Sequence, residues 1–198
     1  MVRIDPTERD SLYRTLAGAV VPRPIAWVSS LSSEGVENLA PYSFFNVVST
    51  SPPVVMFAPA DRSGRPDGLS DSARNARRTG EFVVNIVTEP LAAAMNETSA
   101  TLPPGESEFD HAALDRVASA EVRPPRVAAA EVAFECELHE FIEVGSNAMV
   151  LGEVVSVHLD ESVTTDGKLD VRKLDAVGRL AGNYYCRTGD RFRMERPD

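Results

Sequence analysis

The sequence predicts a mainly β fold, with an all-β barrel core and helices set between its strands. Three observations carry that reading. Six or more short stretches read as strands, few stretches read as helices, and the helices do not alternate strictly with the strands. The last point also argues against a doubly wound parallel sheet.

The elements follow in chain order. Asp5-Pro6-Thr7-Glu8 reads as a helix start: Asp5 can cap, Pro6 suits the first helical position, and Glu8 can reach back to the cap amide. Leu12, Leu16 and Ala19 continue it as an apolar stripe that Pro22 and Pro24 end. Ile25 to Leu31 is β-rich and is followed by a turn at Ser32-Ser33-Glu34-Gly35. A second extended stretch runs from Tyr42 to Ser49, and Val54 to Ala58 forms a buried-type strand after Pro52-Pro53. Leu69 to Thr79 reads as a helix, with Ser70 or Asp71 at its cap and Gly80 just past its end. Phe82 to Val87 is a further strand, and a short helix starts at Thr88 and runs through Met95. Thr98 to Pro125 is rich in Pro, Gly, Ser and Glu and reads as a long excursion, because strands resume after it. Glu131 to Val144 alternates, with Val132, Phe134, Cys136 and Leu138 on one face and Glu135, Glu137 and His139 on the other. Gly145-Ser146-Asn147 turns the chain into a partner strand, Met149 to Leu159, so the pair is a hairpin. The tail, Asp170 to Tyr185, reads as a helical turn and then an Arg179-Leu180-Ala181-Gly182 loop.

Composition excludes several classes of function. Acidic residues outnumber basic ones by 30 to 20, a net charge of −10 that repels nucleic acid and anionic lipid. Arg74, Arg77 and Arg78 form the densest basic spot, read as a solvated helix face before an anion site. Cys136 and Cys186 form no CxxC pair, and His111, His139 and His158 are scattered, which speaks against a metal enzyme. Cys136 sits in an alternating apolar run and reads as a buried thiol. No apolar run approaches the ~18 residues of a membrane span, and the first ten residues are charged, so a soluble, cytoplasmic protein is expected. Neither G-x-G-x-x-G nor G-x-x-x-x-G-K-[ST] is present, and no serine has a G-x-S-x-G context.

Two stretches carry chemistry. Ser29-Ser30 end a strand and Ser70-Asp71-Ser72 open a helix, where hydroxyls and unpaired amides can hold an anion; a plain N-cap is the competing reading. Asn38-Leu39-Ala40-Pro41-Tyr42-Ser43-Phe44-Phe45-Asn46 mixes small residues, a proline and amide side chains. Such a run could let a flat heteroaromatic ring approach closely, or be a barrel strand with an irregular entry.

The ordered set Arg23 to Ser30, Asn38 to Asn46 and Ser51-Pro52-Pro53 resembles the first half of the flavin-reductase-like FMN-binding split-barrel family, the flavoredoxin-type group. Asp71-Ser72-Ala73-Arg74-Asn75 is similar to that family's Lys-Asp-Thr element. Phe82 to Asn85, Glu108-Phe109, Leu151 to Val155 and Arg179 to Tyr184 follow in its order. The resemblance covers about residues 10 to 190, within a single domain over residues 1–198. It implies a six-stranded antiparallel split barrel, a homodimer, and one FMN per subunit near the dimer interface. By the same carry-over Ser29, Ser30, Ser72 and the amides near Ser70 and Asp71 would hold the phosphate, with Asn75 orienting that loop and Arg23 a further phosphate candidate or a structural ion pair. Asn38, the backbone of Leu39, Ala40 and Pro41, and Ser43 would line the isoalloxazine, with Phe44 or Asn46 nearby. Arg179 and Tyr184 would close the site.

Two positions depart from the family pattern: Ser70 replaces the lysine of the Lys-Asp-Thr element, and Glu108 stands where many relatives have lysine. Each weakens FMN binding by about 1 kcal/mol if exposed, with Arg62, Arg74 or Arg77 as the compensating charge. The implied activity is NAD(P)H-dependent flavin reduction, with NADH or NADPH as donor and a monooxygenase or other acceptor as partner. An FMN electron carrier without nicotinamide turnover, and a barrel that has lost its flavin, are the alternatives.

Overall fold

The stretch from Ile25 forms β1 (Ala26–Leu31) in the computed structural model, which describes residues 1–8, 11–60, 65, 67–103 and 105–197. Antiparallel neighbours flank it: β2 (Glu37–Tyr42) on one side and β5 (Glu81–Ile86) on the other. Between them in sequence come β3 (Phe45–Thr50) and β4 (Pro53–Phe57). After β5, two short strands, β6 (Arg116–Val117) and β7 (Arg126–Val127), pair with each other. The hairpin expected from the alternating pattern is β8 (Val132–Val144) and β9 (Asn147–Leu159).

The main sheet has seven strands in the order β2-β1-β5-β8-β9-β4-β3, one more than the six expected. The Tyr42–Ser49 stretch, read as one extended unit, divides at Ser43-Phe44, so that β2 and β3 become separate strands at opposite edges. Laid flat, those edges would lie about 29 Å apart at the usual interstrand spacing. Three backbone steps from Tyr42 to Phe45 reach at most about 11 Å. The sheet therefore curls until its edges approach each other.

Helices cover this curl. Helix α1 (Tyr13–Ala19) is separated from a single 3-10 turn, Pro6–Glu8, rather than continuing from it. Asp5 Oδ1 accepts from the Thr7 amide (2.9 Å) and hydroxyl (2.7 Å), a local turn that competes with a longer helix. Helix α2 (Asp71–Thr79) matches its reading: the Ser70 side chain caps it, accepting from the Ala73 amide at 3.3 Å, and Gly80 ends it at φ 77°. The helix expected from Thr88 becomes a 3-10 turn, Glu89–Leu91, followed by α3 (Ala92–Glu97). The excursion carries one short helix, α4 (Glu108–His111). Past β9, strands β10 (Thr164–Thr165) and β11 (Lys168–Leu169) pair, and the tail forms an antiparallel ribbon of β12 (Val177–Arg179) and β13 (Tyr185–Arg187) where a helical turn was expected. Among the described residues no helix is long and apolar enough to cross a membrane.

Strand β1 is buried on both sides, which is why it separates two cores. Ala26 and Val28 pack with Phe57, Phe82, Ala73 and Ala76, the last two from α2. Trp27 faces the opposite way, with Leu39, Met95 and Phe109. Its indole N–H donates to Thr98 Oγ1 at 2.8 Å, tying the start of the excursion to β1. Phe134, Cys136 and Leu138 turn to the first core as expected, although β8 is bulged between Glu135 and Cys136. Burial pushes the Cys136 thiol far above its ordinary pKa, so it behaves as a packing group. Gly152 of β9 faces the same core with no room for a side chain. A Cβ there would meet Phe82 Cζ at 2.3 Å and Cys136 Cβ at 2.9 Å. Gly152→Ala is expected to destabilise the fold by about 1–3 kcal/mol, read as a lower urea midpoint; an unchanged midpoint would mean that Phe82 swings aside freely.

Candidate functional site

Four buried polar side chains meet where β1, β2 and the start of α2 converge. Asn38 Oδ1 accepts from Ser72 Oγ at 2.7 Å and from Ser30 Oγ at 3.3 Å. Asn75 Nδ2 donates to Ser30 Oγ at 3.1 Å. The Tyr42 hydroxyl donates to Ser72 Oγ at 3.0 Å. Ser30, Ser72, Asn75 and Asn38 are all buried. The two stretches singled out in the sequence thus meet through side chains, as both the helix start and the β2 edge require. Their hydroxyls point at one another, however, and are spent on this network.

The excursion supplies a fifth group. Glu108 opens α4 and is buried, and its Oε2 accepts both from Asn38 Nδ2 (2.9 Å) and from the Leu39 amide (2.9 Å). Because β2 is an edge strand, that amide has no sheet partner on its outer side, and the carboxylate satisfies it. Burial raises the Glu108 pKa, and the donated hydrogen bonds only partly oppose this. The Leu39 side chain lies in the second core, so only its backbone belongs to the site.

A cleft of about 690 Å³ opens on the outer side of Pro41, Tyr42 and Ser43, within the size range of small-molecule sites. Arg179, Asn183 and Tyr185 form its opposite wall, and Met95 and Ser99 contribute from α3 and beyond. The Arg179 guanidinium lies 4.5 Å over the Tyr185 ring, donates to the Tyr185 hydroxyl, and donates to the Gly182 carbonyl at 2.5 Å. Tyr42 lines both this cleft and a narrow waist of about 20 Å³ beside Ala40, Ser70 and Glu108. Beyond the waist lies a cavity of about 250 Å³ bordered by Asn38, Asp71, Asn75 and Glu108. The first two share Tyr42 as a wall, and the last two share Asn38, Asp71 and Glu108, so the three line up along β2.

Four expected positions fall elsewhere. Ser29 and Ser30 are consecutive on a strand, so their side chains take opposite faces; Ser30 joins the cluster, while the Ser29 hydroxyl is buried without a hydrogen-bond partner among the described residues. Arg23 forms no ion pair among the described residues, and its guanidinium is engaged by protein acceptors. It donates to the Ala17 carbonyl, to those of Val20 (2.9 Å) and Leu180 (3.0 Å), and to Ser43 Oγ at 3.4 Å. Four of its N–H groups are thereby engaged in holding α1 and the C-terminal loop together. Asn46 is exposed on β3, its Oδ1 accepting from the next amide at 2.8 Å. Tyr184 is 75% exposed and lines none of the three cavities, while its neighbour Tyr185 stands in the cleft wall. Phe44 packs near Tyr13 and Arg23.

The compensating charges sort similarly. Arg74 borders the 250 Å³ cavity but is bound to both oxygens of Asp67 (2.7 and 2.6 Å) and to Asp71 Oδ1 (2.6 Å). Arg77 turns away, 4.9 Å over the Phe141 ring. Arg62 lies outside the described residues. Sequence reasoning missed Tyr42, Tyr185 and Arg65, and read Glu108 only as a lost cation. Tyr42 lies within a motif already singled out and Tyr185 directly follows one; nothing local marks Glu108 as a partner of residues about seventy positions away.

Comparison with known proteins shows the family and the fold. The family described as "Flavin reductase like domain" matches residues 18–175. The crystal structure of nitrilotriacetate monooxygenase component B from Bacillus cereus superposes with a TM-score of 0.93 at 37% identity, covering 98% of each chain. That of the Pseudomonas fluorescens 2-nitrobenzoate 2-nitroreductase gives 0.89 at 33% identity, covering 99% of this chain and 96% of the other. The uncharacterized Bacillus subtilis protein YwrF is 40% identical over 98% of this chain and 97% of its own.

Proposed function

The chain belongs to the flavin reductase-like family, and from that premise we infer that it is an FMN-binding oxidoreductase that reduces flavin at the expense of NADH or NADPH. The observation that carries this reading is the groove along β2: an open cleft beside Pro41, Tyr42 and Ser43, joined through Tyr42 to the polar cluster at the start of α2. Its ring end fits a flavin. The β2 edge has its Leu39 amide engaged by Glu108, and Pro41 has no N–H to offer, so the backbone there presents acceptors to a flat ligand. The N3–H of an isoalloxazine needs such an acceptor. Arg179, held by Tyr185 and Gly182, faces the opposite side and supplies the positive charge that a reduced, electron-rich ring favours.

When bound, the flavin would supply the hydride acceptor for a dihydronicotinamide. This chain's own side chains bind and orient. Tyr42 fixes the level of the ring relative to Ser72, and Asn38 with Glu108 fixes the β2 backbone. No general base is assigned. An open cleft admits the nicotinamide by stacking, without a glycine-rich dinucleotide motif. The curled sheet corresponds in this reading to the split barrel, the working unit to a homodimer in the cytoplasm, and the electron acceptor to a monooxygenase component.

An absorbance spectrum of the protein mixed with FMN, before and after each nicotinamide, tests this. Rapid bleaching near the flavin maxima with NADH or NADPH is the expected result. Bleaching only after a separate reductase is added would make the chain an electron carrier, and failure to bind flavin at all would end the proposal.

A further inference from the structure

The far end of the groove does not suit the phosphate that the near end would send toward it. Its walls carry five carboxylates against three arginines. Two of those arginines are already neutralised: Arg65 pairs with Asp71 at 2.7 Å, and Arg74 is held by Asp67 and Asp71. Arg78 is the one of the three that forms no salt bridge or hydrogen bond among the described residues, and it is exposed. The buried neutral donors are no freer: Ser30 and Ser72 donate to Asn38, and Asn75 donates to Ser30.

Glu108 stands at the centre of this end. It borders both the waist and the 250 Å³ cavity, so a chain threading from the ring cleft toward the α2 start passes it. Its Oε2 is occupied by Asn38 and Leu39, and the Asp71 carboxylate nearby is paired with Arg65 and Arg74. A phosphate dianion brought here meets a carboxylate that the fold holds in place and that water screens poorly. The hydroxyls of a ribityl chain, by contrast, can donate to that carboxylate.

We propose that Glu108 is a specificity-determining residue that cancels the binding advantage of the flavin phosphate, so that this groove takes riboflavin about as readily as FMN and exchanges its flavin instead of retaining it. The inference rests on the flavin reading given above and deepens it. It makes the flavin a diffusible substrate, recognised by ring and ribityl chain, with the phosphate contributing little.

Titration of riboflavin and of FMN by quenching of flavin fluorescence, on the wild type and on Glu108→Gln, tests the proposal. Glutamine keeps a carbonyl oxygen for Asn38 and the Leu39 amide while removing the charge. Wild-type dissociation constants within about threefold of each other are expected, with the preference for FMN over riboflavin raised about tenfold in the variant. A variant that leaves the FMN-to-riboflavin ratio where it was would overturn the role of Glu108. Should the variant not fold, the wild-type ratio decides: a preference for FMN above about tenfold overturns the proposal. A wild type that binds neither flavin removes the flavin reading itself, and this inference with it; binding of both with strong FMN preference removes only the latter.

Discussion

Replacing Glu135 with alanine is expected to lower stability by about 3–5 kcal/mol. Glu135 lies on the face of β8 that the excursion covers, and it is fully buried. Its carboxylate accepts from the amides of Ala120 (2.8 Å), Glu121 (2.6 Å) and Val122 (3.3 Å), and contacts His158 Nε2 at 2.5 Å. Arg126 Nε stands 3.9 Å away. Truncation leaves three amides without an acceptor and uncovers the small apolar cluster of Val83, Val122 and Ala133. For a chain of this length the loss corresponds to a melting temperature lower by roughly 10 °C, read by circular dichroism. A shift under about 2 °C would mean that the loop finds other partners.

The same group predicts a pH response. Burial opposes the charged form, but the backbone donors and His158 outweigh it and hold the Glu135 carboxyl below its ordinary value. Its contribution is therefore complete above about pH 4.3, the ordinary glutamate value, and is lost as pH falls through the lowered one. Glu108 acts in the opposite sense: its raised pKa favours the protonated fold, and that contribution is lost as pH rises through the raised value. Glu135→Gln should accordingly flatten the acid limb of a stability profile.

The second large effect is expected at Asn38. Asn38→Ala removes the link between Glu108, Ser72 and Ser30, leaving three buried groups short of partners. A stability loss of about 2–3 kcal/mol follows. Flavin affinity should fall at least about tenfold, because the β2 backbone loses its brace while the cleft beyond Tyr42 stays open. Fluorescence titration at a temperature well below the variant's melting point separates the two effects. Unchanged affinity would detach the polar cluster from flavin binding and confine the ligand to the cleft.

Much of this was legible in the residues themselves. Ser70 and Gly80 mark the ends of α2 because capping and left-handed backbone are decided within a few residues. The β8–β9 hairpin follows from alternation and the turn at Gly145, again over short distances. Alternation also places the side chains of Ser29 and Ser30 on opposite faces of β1, so that only Ser30 joins the polar cluster. Glu108 and Glu135 are different. Both are acidic residues whose ordinary place is solvent, and both are buried by partners that the linear pattern does not indicate.

What the linear order determined, then, is local: the strands, the capped helix, the apolar faces, and the family to which the motifs belong. Only the tertiary structure decided that β2 and β3, two residues apart, become opposite edges of one curled sheet, and that Glu108 reaches back to Asn38. The reason is physical. Backbone preference acts across a turn or two of chain, whereas burying a carboxylate requires donors assembled from distant segments. Those donors come together only once the excursion has packed against the folded sheet.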